Sequence, residues 1–252
     1  MAHPLAQNRW MSIRQRLDEA LVARGFYSTR SRARDAILRG TVSIDGETAR
    51  KPAHPVGPNA VIELNDEAQF YVSRAALKLK HGLAHFNIRV EGCHALDIGA
   101  STGGFTQVLL EQGAAHVSAV DVGHGQMALA DPRLTSIEGL NARDLGTQHL
   151  THPVDFLVCD VSFISLKLAL PPALELAGEG AHLVALIKPQ FEAGRDALGK
   201  GGLVTDDADH ARVCGEIVTL LQREGWTVLG LTPSPLEGGD GNREFLIAAR
   251  KG

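Results

Sequence analysis

The sequence predicts an α/β fold: a Rossmann-like sheet of seven strands, mostly parallel with an antiparallel edge, behind a small N-terminal α+β unit. Three observations carry this. Short apolar runs at 94–98, 116–121, 134–139, 156–160 and 183–188 mostly alternate with helical stretches, the order that winds a parallel sheet with helices on both faces. The last two runs, 228–232 and 245–249, follow one another across a long Gly/Pro loop, which suits antiparallel pairing. The first 70 residues carry a different pattern, two helices and then short strands.

Residues 1–12 show no periodicity and read as a leader. Over 13–26, Leu17, Ala20, Leu21 and Ala23 recur at helical spacing, and Gly25 supplies a stop. Ser28 or Thr29 can cap a second helix that carries Arg30, Arg32 and Arg34 and ends at Gly40. Val42 and Ile44 alternate ahead of Asp45-Gly46, a hairpin signal, and Pro52, Pro55 and Pro58 break the chain before the run 61–64. This unit spans 13–68. Residues 69–72 form a linker, a helix is expected over 71–86, and the second domain covers 73–252.

Charge is divided unevenly between the two parts. Residues 1–80 hold 13 Lys+Arg against 8 Asp+Glu, whereas residues 81–252 hold 12 against 21. A basic head on an acidic body points to a polyanionic partner for the head, although solvated charged faces are common. Cys93, Cys159 and Cys214 are far apart and form no Cys-x-x-Cys pair. That argues against a disulfide framework or a zinc module, suits a reducing cytoplasm, and leaves no metal site to expect. No stretch approaches the ~20 apolar residues of a membrane span, and the first residues lack the apolar core of a secretion signal. A cytoplasmic protein without membrane contact is expected.

The first strand of the sheet runs into Asp97-Ile98-Gly99-Ala100-Ser101-Thr102-Gly103-Gly104-Phe105. Small residues there let the backbone approach a ligand, and the next helix presents its N-terminus to it. Ligands of open α/β sheets bind at this edge. Asp121, closing the second strand, can accept from both hydroxyls of a ribose. The loop has neither the Gly-x-Gly-x-x-Gly spacing of a dinucleotide site nor the Lys-Ser/Thr of a P-loop. An adenosine cofactor with a methionine tail fits it better, and a glycine-rich turn without a ligand is the plainer alternative.

Four charged residues end apolar runs or the leading helix at the same edge: Lys78, Asp160, Lys188 and Glu244. Singly each reads as a surface charge; together they read as a site. A ribose hydroxyl holds its proton tightly at neutral pH. A lysine beside a second cation and partly desolvated can take that proton, and Lys78 and Lys188 can supply the pair, steadied by Asp160 and Glu244. A sulfonium methyl is already activated by its charge, so the chemistry requires no metal.

These stretches resemble the TlyA family of ribosomal-RNA 2′-O-methyltransferases, whose catalytic domain is FtsJ-like. The resemblance covers about residues 13–250. It rests on Val72-Ser73-Arg74 with Lys78, the loop from Asp97 to Phe105, Val120-Asp121-Val122-Gly123-His124-Gly125-Gln126, Asp160-Val161-Ser162-Phe163-Ile164-Ser165, Leu186-Ile187-Lys188-Pro189-Gln190-Phe191-Glu192, and Ser234-Pro235-Leu236 with Gly241-Asn242-Arg243-Glu244-Phe245. It implies a class I methyltransferase sheet, S-adenosyl-L-methionine as cofactor, and a catalytic tetrad of Lys78, Asp160, Lys188 and Glu244. Cofactor contacts are implied at Asp97, Gly99, Ser101, Thr102, Gly103, Gly104, Phe105, Asp121 and Asn141.

The N-terminal unit resembles an S-four-type RNA-binding domain, which implies RNA contacts from Arg14, Arg16, Arg30, Arg32 and Arg34, with Arg74 nearby in the second domain. On the residues alone, the basic helix is equally well a solvated face. Ribosomal RNA or ribosomal subunits are the implied partner and a cytidine the implied target. A same-fold enzyme acting on another RNA, on a base or on a small molecule, and a non-enzymatic RNA-binding or haemolytic protein, remain as alternatives. Neither oligomeric state nor the target nucleotide follows from the sequence.

Overall fold

A computed structural model describes residues 14–252; the leader expected over 1–12 lies outside the described residues. The chain divides into two compact units after Gln69.

In the first unit the order is β1 (Gln15–Arg16), α1 (Leu17–Ala23), α2 (Arg30–Arg39), β2 (Val42–Ile44), β3 (Glu47–Ala49), β4 (Pro55–Val56) and β5 (Ile62–Leu64). Strand β2 is the centre of an antiparallel sheet β3-β2-β5, and β1 pairs with β4. Thr29 Oγ1 accepts from Arg32 N and caps α2, which Gly40 closes at φ +76°, a left-handed turn that glycine adopts without strain. Helix α1 starts later than its periodicity suggests. The amides of Leu17 and Asp18 bond to the carbonyls of His54 and Pro52, so the residues before them serve a strand. Leu17, Leu21, Ala33, Ile37 and Val42 form the core. Asp66 closes it with carboxylate bonds from Tyr27 Oη at 2.6 Å and from both Arg39 nitrogens at 2.8 and 2.9 Å.

The second unit begins with α3 (Ala75–His85), then β6 (His94–Ile98), α4 (Gly104–Glu111), β7 (His116–Asp121), β8 (Leu134–Glu138) and β9 (Val154–Cys159). It continues through α5 (Leu166–Ala169), α6 (Pro171–Leu176), β10 (Ala177–Ile187), α7 (Pro189–Glu192), α8 (Asp207–Arg223), β11 (Trp226–Pro233) and β12 (Phe245–Lys251). The sheet order is β11-β12-β10-β9-β6-β7-β8. Strands β10, β9, β6, β7 and β8 pair in parallel, while β12 runs antiparallel to both β10 and β11. The mostly parallel seven-stranded sheet with antiparallel pairing toward one edge is the one the sequence predicts.

The sheet is apolar on both faces because helices cover both. Along β9, Leu157 and Cys159 enter one core with Ile187, Val213 and Ile217, whereas Phe156 and Val158 enter the other with Leu79, Phe105 and Leu109. Two elements differ from expectation. Helix α3 starts at Ala75 rather than 71, because Val72 N is spent on Gln107 Oε1 and Ala75 N on Ser73 Oγ. Strand β10 starts at 177, through Gly178 and Gly180, with a register shift between Ala177 and His182; glycines hide a strand from propensity.

This topology sets the site. Strands β6, β7, β9 and β10 end at one edge, and β12, running the other way, begins there.

Candidate active site

The turn after β6 is built by close approach. Gly99 has φ +82°, its N donates to Val120 O at 2.9 Å, and a Cβ on it would lie 2.6 Å from the Asp160 carbonyl oxygen. No side chain fits there. A Cβ at Gly104, the first residue of α4, would lie 2.9 Å from Ser73 Cβ. Asp121, closing β7, accepts from Ser101 N at 2.8 Å and Gly123 N at 2.7 Å through different oxygens. Each oxygen keeps a second lone pair for a ligand.

A cleft of about 870 Å³ lies along this edge, walled by Gly99, Ser101, Asp121, Asn141 and the segment 160–165. A smaller cavity of about 160 Å³ is lined by Ser73, Thr102, Gly104, Phe105 and Lys188. Gly99, Ser101, Asp160 and Ser162 line both. The fit to a nucleoside with a short polar tail is good: a backbone cradle, a carboxylate at the ribose position, apolar walls at Val120, Leu140 and Leu168, and a narrow extension.

The four strand-end charges are gathered beside that extension as two pairs. Lys188 Nζ lies 2.6 Å from Asp160 Oδ1 and donates a directed hydrogen bond to Ser162 Oγ at 2.8 Å. Lys78 Nζ donates to Glu244 Oε2 at 2.5 Å, both side chains being buried. Burial raises the Glu244 carboxyl above its usual range against the pull of Lys78 and Lys188, and Asp160 adds to the rise. The pairs are therefore electrostatically coupled. Lys188 and Asp160 face the small cavity; Lys78 and Glu244 line neither space.

The other expected residues fall as follows. Asp121 and Asn141 line the large cleft, and Asn141 Oδ1 also accepts from Arg143 N at 3.1 Å. Thr102, Gly104 and Phe105 line the small cavity, while Gly103, at φ +98°, lines neither. Asp97 is wholly buried under the turn, takes a 2.6 Å bond from Thr106 Oγ1, and leaves its other oxygen without a partner. Burial pushes its carboxyl up to about 7, against Thr106 and with help from Asp160.

In the first unit, Arg16 and Arg30 both bond Asp18, each with contacts of 3.0 Å, and Arg32 donates to Ala68 O. Arg14 lines a shallow recess with Asp45 and His54, and Arg34 is exposed. In the second unit, Arg74 donates to Glu237 O at 3.3 Å.

Sequence reasoning missed several residues at this edge. Ser73 and Ser162 line the small cavity. Phe163, 91% exposed at φ +64°, sits 5.2 Å from Phe191, centroid to centroid. Buried Glu192 accepts from Ser165 Oγ and Leu166 N. Buried Asn242 accepts from Val204 N and donates to Gly202 O. Their only signal was membership of motifs in which they had no assigned role.

Comparison with known proteins finds relatives of both units. Residues 71–251 match the FtsJ-like methyltransferase model and residues 15–62 the S4 domain model. The chain is 44% identical to the 16S/23S rRNA (cytidine-2′-O)-methyltransferase TlyA of Mycobacterium tuberculosis, over 95% of this chain and 91% of that one. It is 39% identical to a protein of Brachyspira hyodysenteriae named Hemolysin A, over 92% and 98%. A solved structure from Streptococcus thermophilus, also named as a hemolysin, superposes with TM-score 0.74 at 40% identity, covering 94% of this chain and 88% of that one. The chain belongs to the FtsJ-like methyltransferases, in the TlyA group that carries an S4 domain ahead of the catalytic one.

Proposed function

We propose that this enzyme methylates a ribose 2′-oxygen of ribosomal RNA, with S-adenosyl-L-methionine as cofactor and a cytidine as target. The observation that carries the reading is the Lys188–Asp160 pair facing a small cavity at the glycine turn, with Lys78–Glu244 buried behind it. The TlyA relative, a 16S/23S rRNA (cytidine-2′-O)-methyltransferase, supports the substrate class.

Gly99, Ser101, Asp121 and Asn141 would hold the nucleoside end, and Ser73, Thr102, Gly104 and Phe105 the methionine end. Bound there, the sulfonium supplies a methyl group that needs no further activation. Lys188 takes the proton of the attacking hydroxyl, because it is the lysine that reaches the cavity. Asp160 holds the resulting ammonium, and the buried Lys78 keeps positive potential behind it while Glu244 limits that charge. Lining up oxygen, methyl and sulfur in this narrow space supplies much of the acceleration. The exposed Phe163 ring, beside Phe191, suits stacking on a base swung out of its helix.

The first unit anchors RNA through phosphates, which give affinity without sequence choice. The reaction belongs where ribosomes are, in the cytoplasm. Among the described residues no helix is long and apolar enough to cross a membrane.

The test is Lys188→Ala. Transfer to ribosomal RNA should fall by about 10²-fold or more, with cofactor affinity kept and the wild-type methyl found on sugar after digestion to nucleosides. Near-normal transfer by the variant, or a methyl on the base, rejects the proposal.

A further inference from the structure

Ser162 belongs to no part of the mechanism above, yet the loop that carries it is fixed at both ends. At its start, Asp160 N donates to Ile98 O at 2.9 Å, and the Asp160 and Val161 backbone lies so near Gly99 that no side chain would fit there. At its end, Ser165 Oγ donates to Glu192 Oε2 at 2.5 Å and Leu166 N to Glu192 Oε1 at 2.6 Å. Glu192 lies on α7, which starts at the residue after Lys188. The loop is thus tied both to the cofactor turn and to the segment that presents Lys188.

Between these anchors the backbone is strained. Phe163 adopts φ +64°, a left-handed conformation that a residue with a side chain seldom takes. The turn sends the Phe163 ring outward, while Ser162 Oγ faces inward and accepts from Lys188 Nζ at 2.8 Å.

We propose that Ser162 is a positioning residue for methyl transfer, its hydroxyl fixing the direction in which the Lys188 amine meets the attacking hydroxyl. An amine nitrogen has four tetrahedral directions. Cε and Ser162 Oγ take two, while the Asp160 carboxylate, 2.6 Å away but outside hydrogen-bond geometry, attracts the nitrogen without directing it. The Ser162 bond is therefore what sets how the remaining directions meet the small cavity, which Lys188, Asp160 and Ser162 all line. Without the hydroxyl, the four-carbon stem lets the nitrogen swing about the carboxylate alone, and the lone pair is rarely aimed at the proton it must take. The inference rests on the reading of this chain as a ribose methyltransferase.

Two measurements test it. In steady-state transfer to ribosomal RNA, Ser162→Ala should lower kcat by about tenfold or more, leaving KM for RNA and cofactor affinity within about twofold, and Ser162→Thr should restore most of the loss. Unchanged kcat overturns the proposal. So does a loss confined to KM or cofactor affinity, which would make the hydroxyl a ligand contact. Equal loss in the Ala and Thr variants overturns it as well.

The second measurement needs no turnover. Competitive labelling of the folded protein with acetic anhydride, read by peptide mass spectrometry, should show Lys188 changing in reactivity by about threefold or more in Ser162→Ala, with exposed Lys200 unchanged. Equal labelling of Lys188 overturns the proposal. If Lys188 responds but the wild type methylates no ribose, the functional reading fails and takes the role in transfer with it, while the hold of Ser162 on the Lys188 amine stands.

Discussion

Asp97 lies wholly buried beneath the glycine turn with its carboxyl raised to about 7. Below its unfolded value, near 3.9, both states hold the proton. Between there and about 7 the folded protein keeps a proton that the unfolded chain has released, so stability falls as pH rises through this window. Wild-type protein should lose on the order of 2–4 kcal/mol between pH 4 and 8 from this group alone. Asp97→Asn should remove that slope, as denaturant midpoints across the pH range would show; parallel slopes for the two proteins would refute it. At this scale the sequence exposes charges that end apolar runs, which is why Lys78, Asp160, Lys188 and Glu244 were legible. It hides Ser162 and Glu192. A hydroxyl or carboxylate in a loop has no periodicity, and the partners that define these two stand 26 and 27 residues away.

Helix α7 is only four residues long, yet its Glu192 fastens the start of α5. Glu192→Ala leaves Leu166 N and Ser165 Oγ without their acceptor, at a cost of about 1–3 kcal/mol. Because the same carboxylate ties down the loop bearing Ser162 and Phe163, transfer should weaken as well. Thermal melting and initial rates, taken together, check this; a variant of wild-type stability would remove the clamp from the account. The elements themselves followed from pattern wherever apolar alternation was strong, as in β6 and β7. Their starts were misplaced where backbone amides were already engaged, as before Ala75 and Leu17, or where glycines stood in a strand, as at the start of β10.

Across the whole molecule, the basic head and acidic body pointed to a polyanionic partner for the head, and the chain divides into two units after Gln69. The structure qualifies the arginines: Arg16 and Arg30 are engaged with Asp18, and Arg32 with a backbone carbonyl. Exposed Arg34 is the arginine we propose as a phosphate contact. Arg34→Ala should weaken RNA binding alike for different sequences and reduce the slope of log affinity against log salt by about 0.7–0.9; an unchanged slope would exclude the contact.

The reversal of β12 has a consequence for assembly in time. Glu244 immediately precedes β12, and that strand must slot between β10 and β11, both earlier in the chain order. On the proposed mechanism, a polypeptide that has laid down everything before this strand holds three of the four charges and gains the fourth only when β12 pairs between its two neighbours.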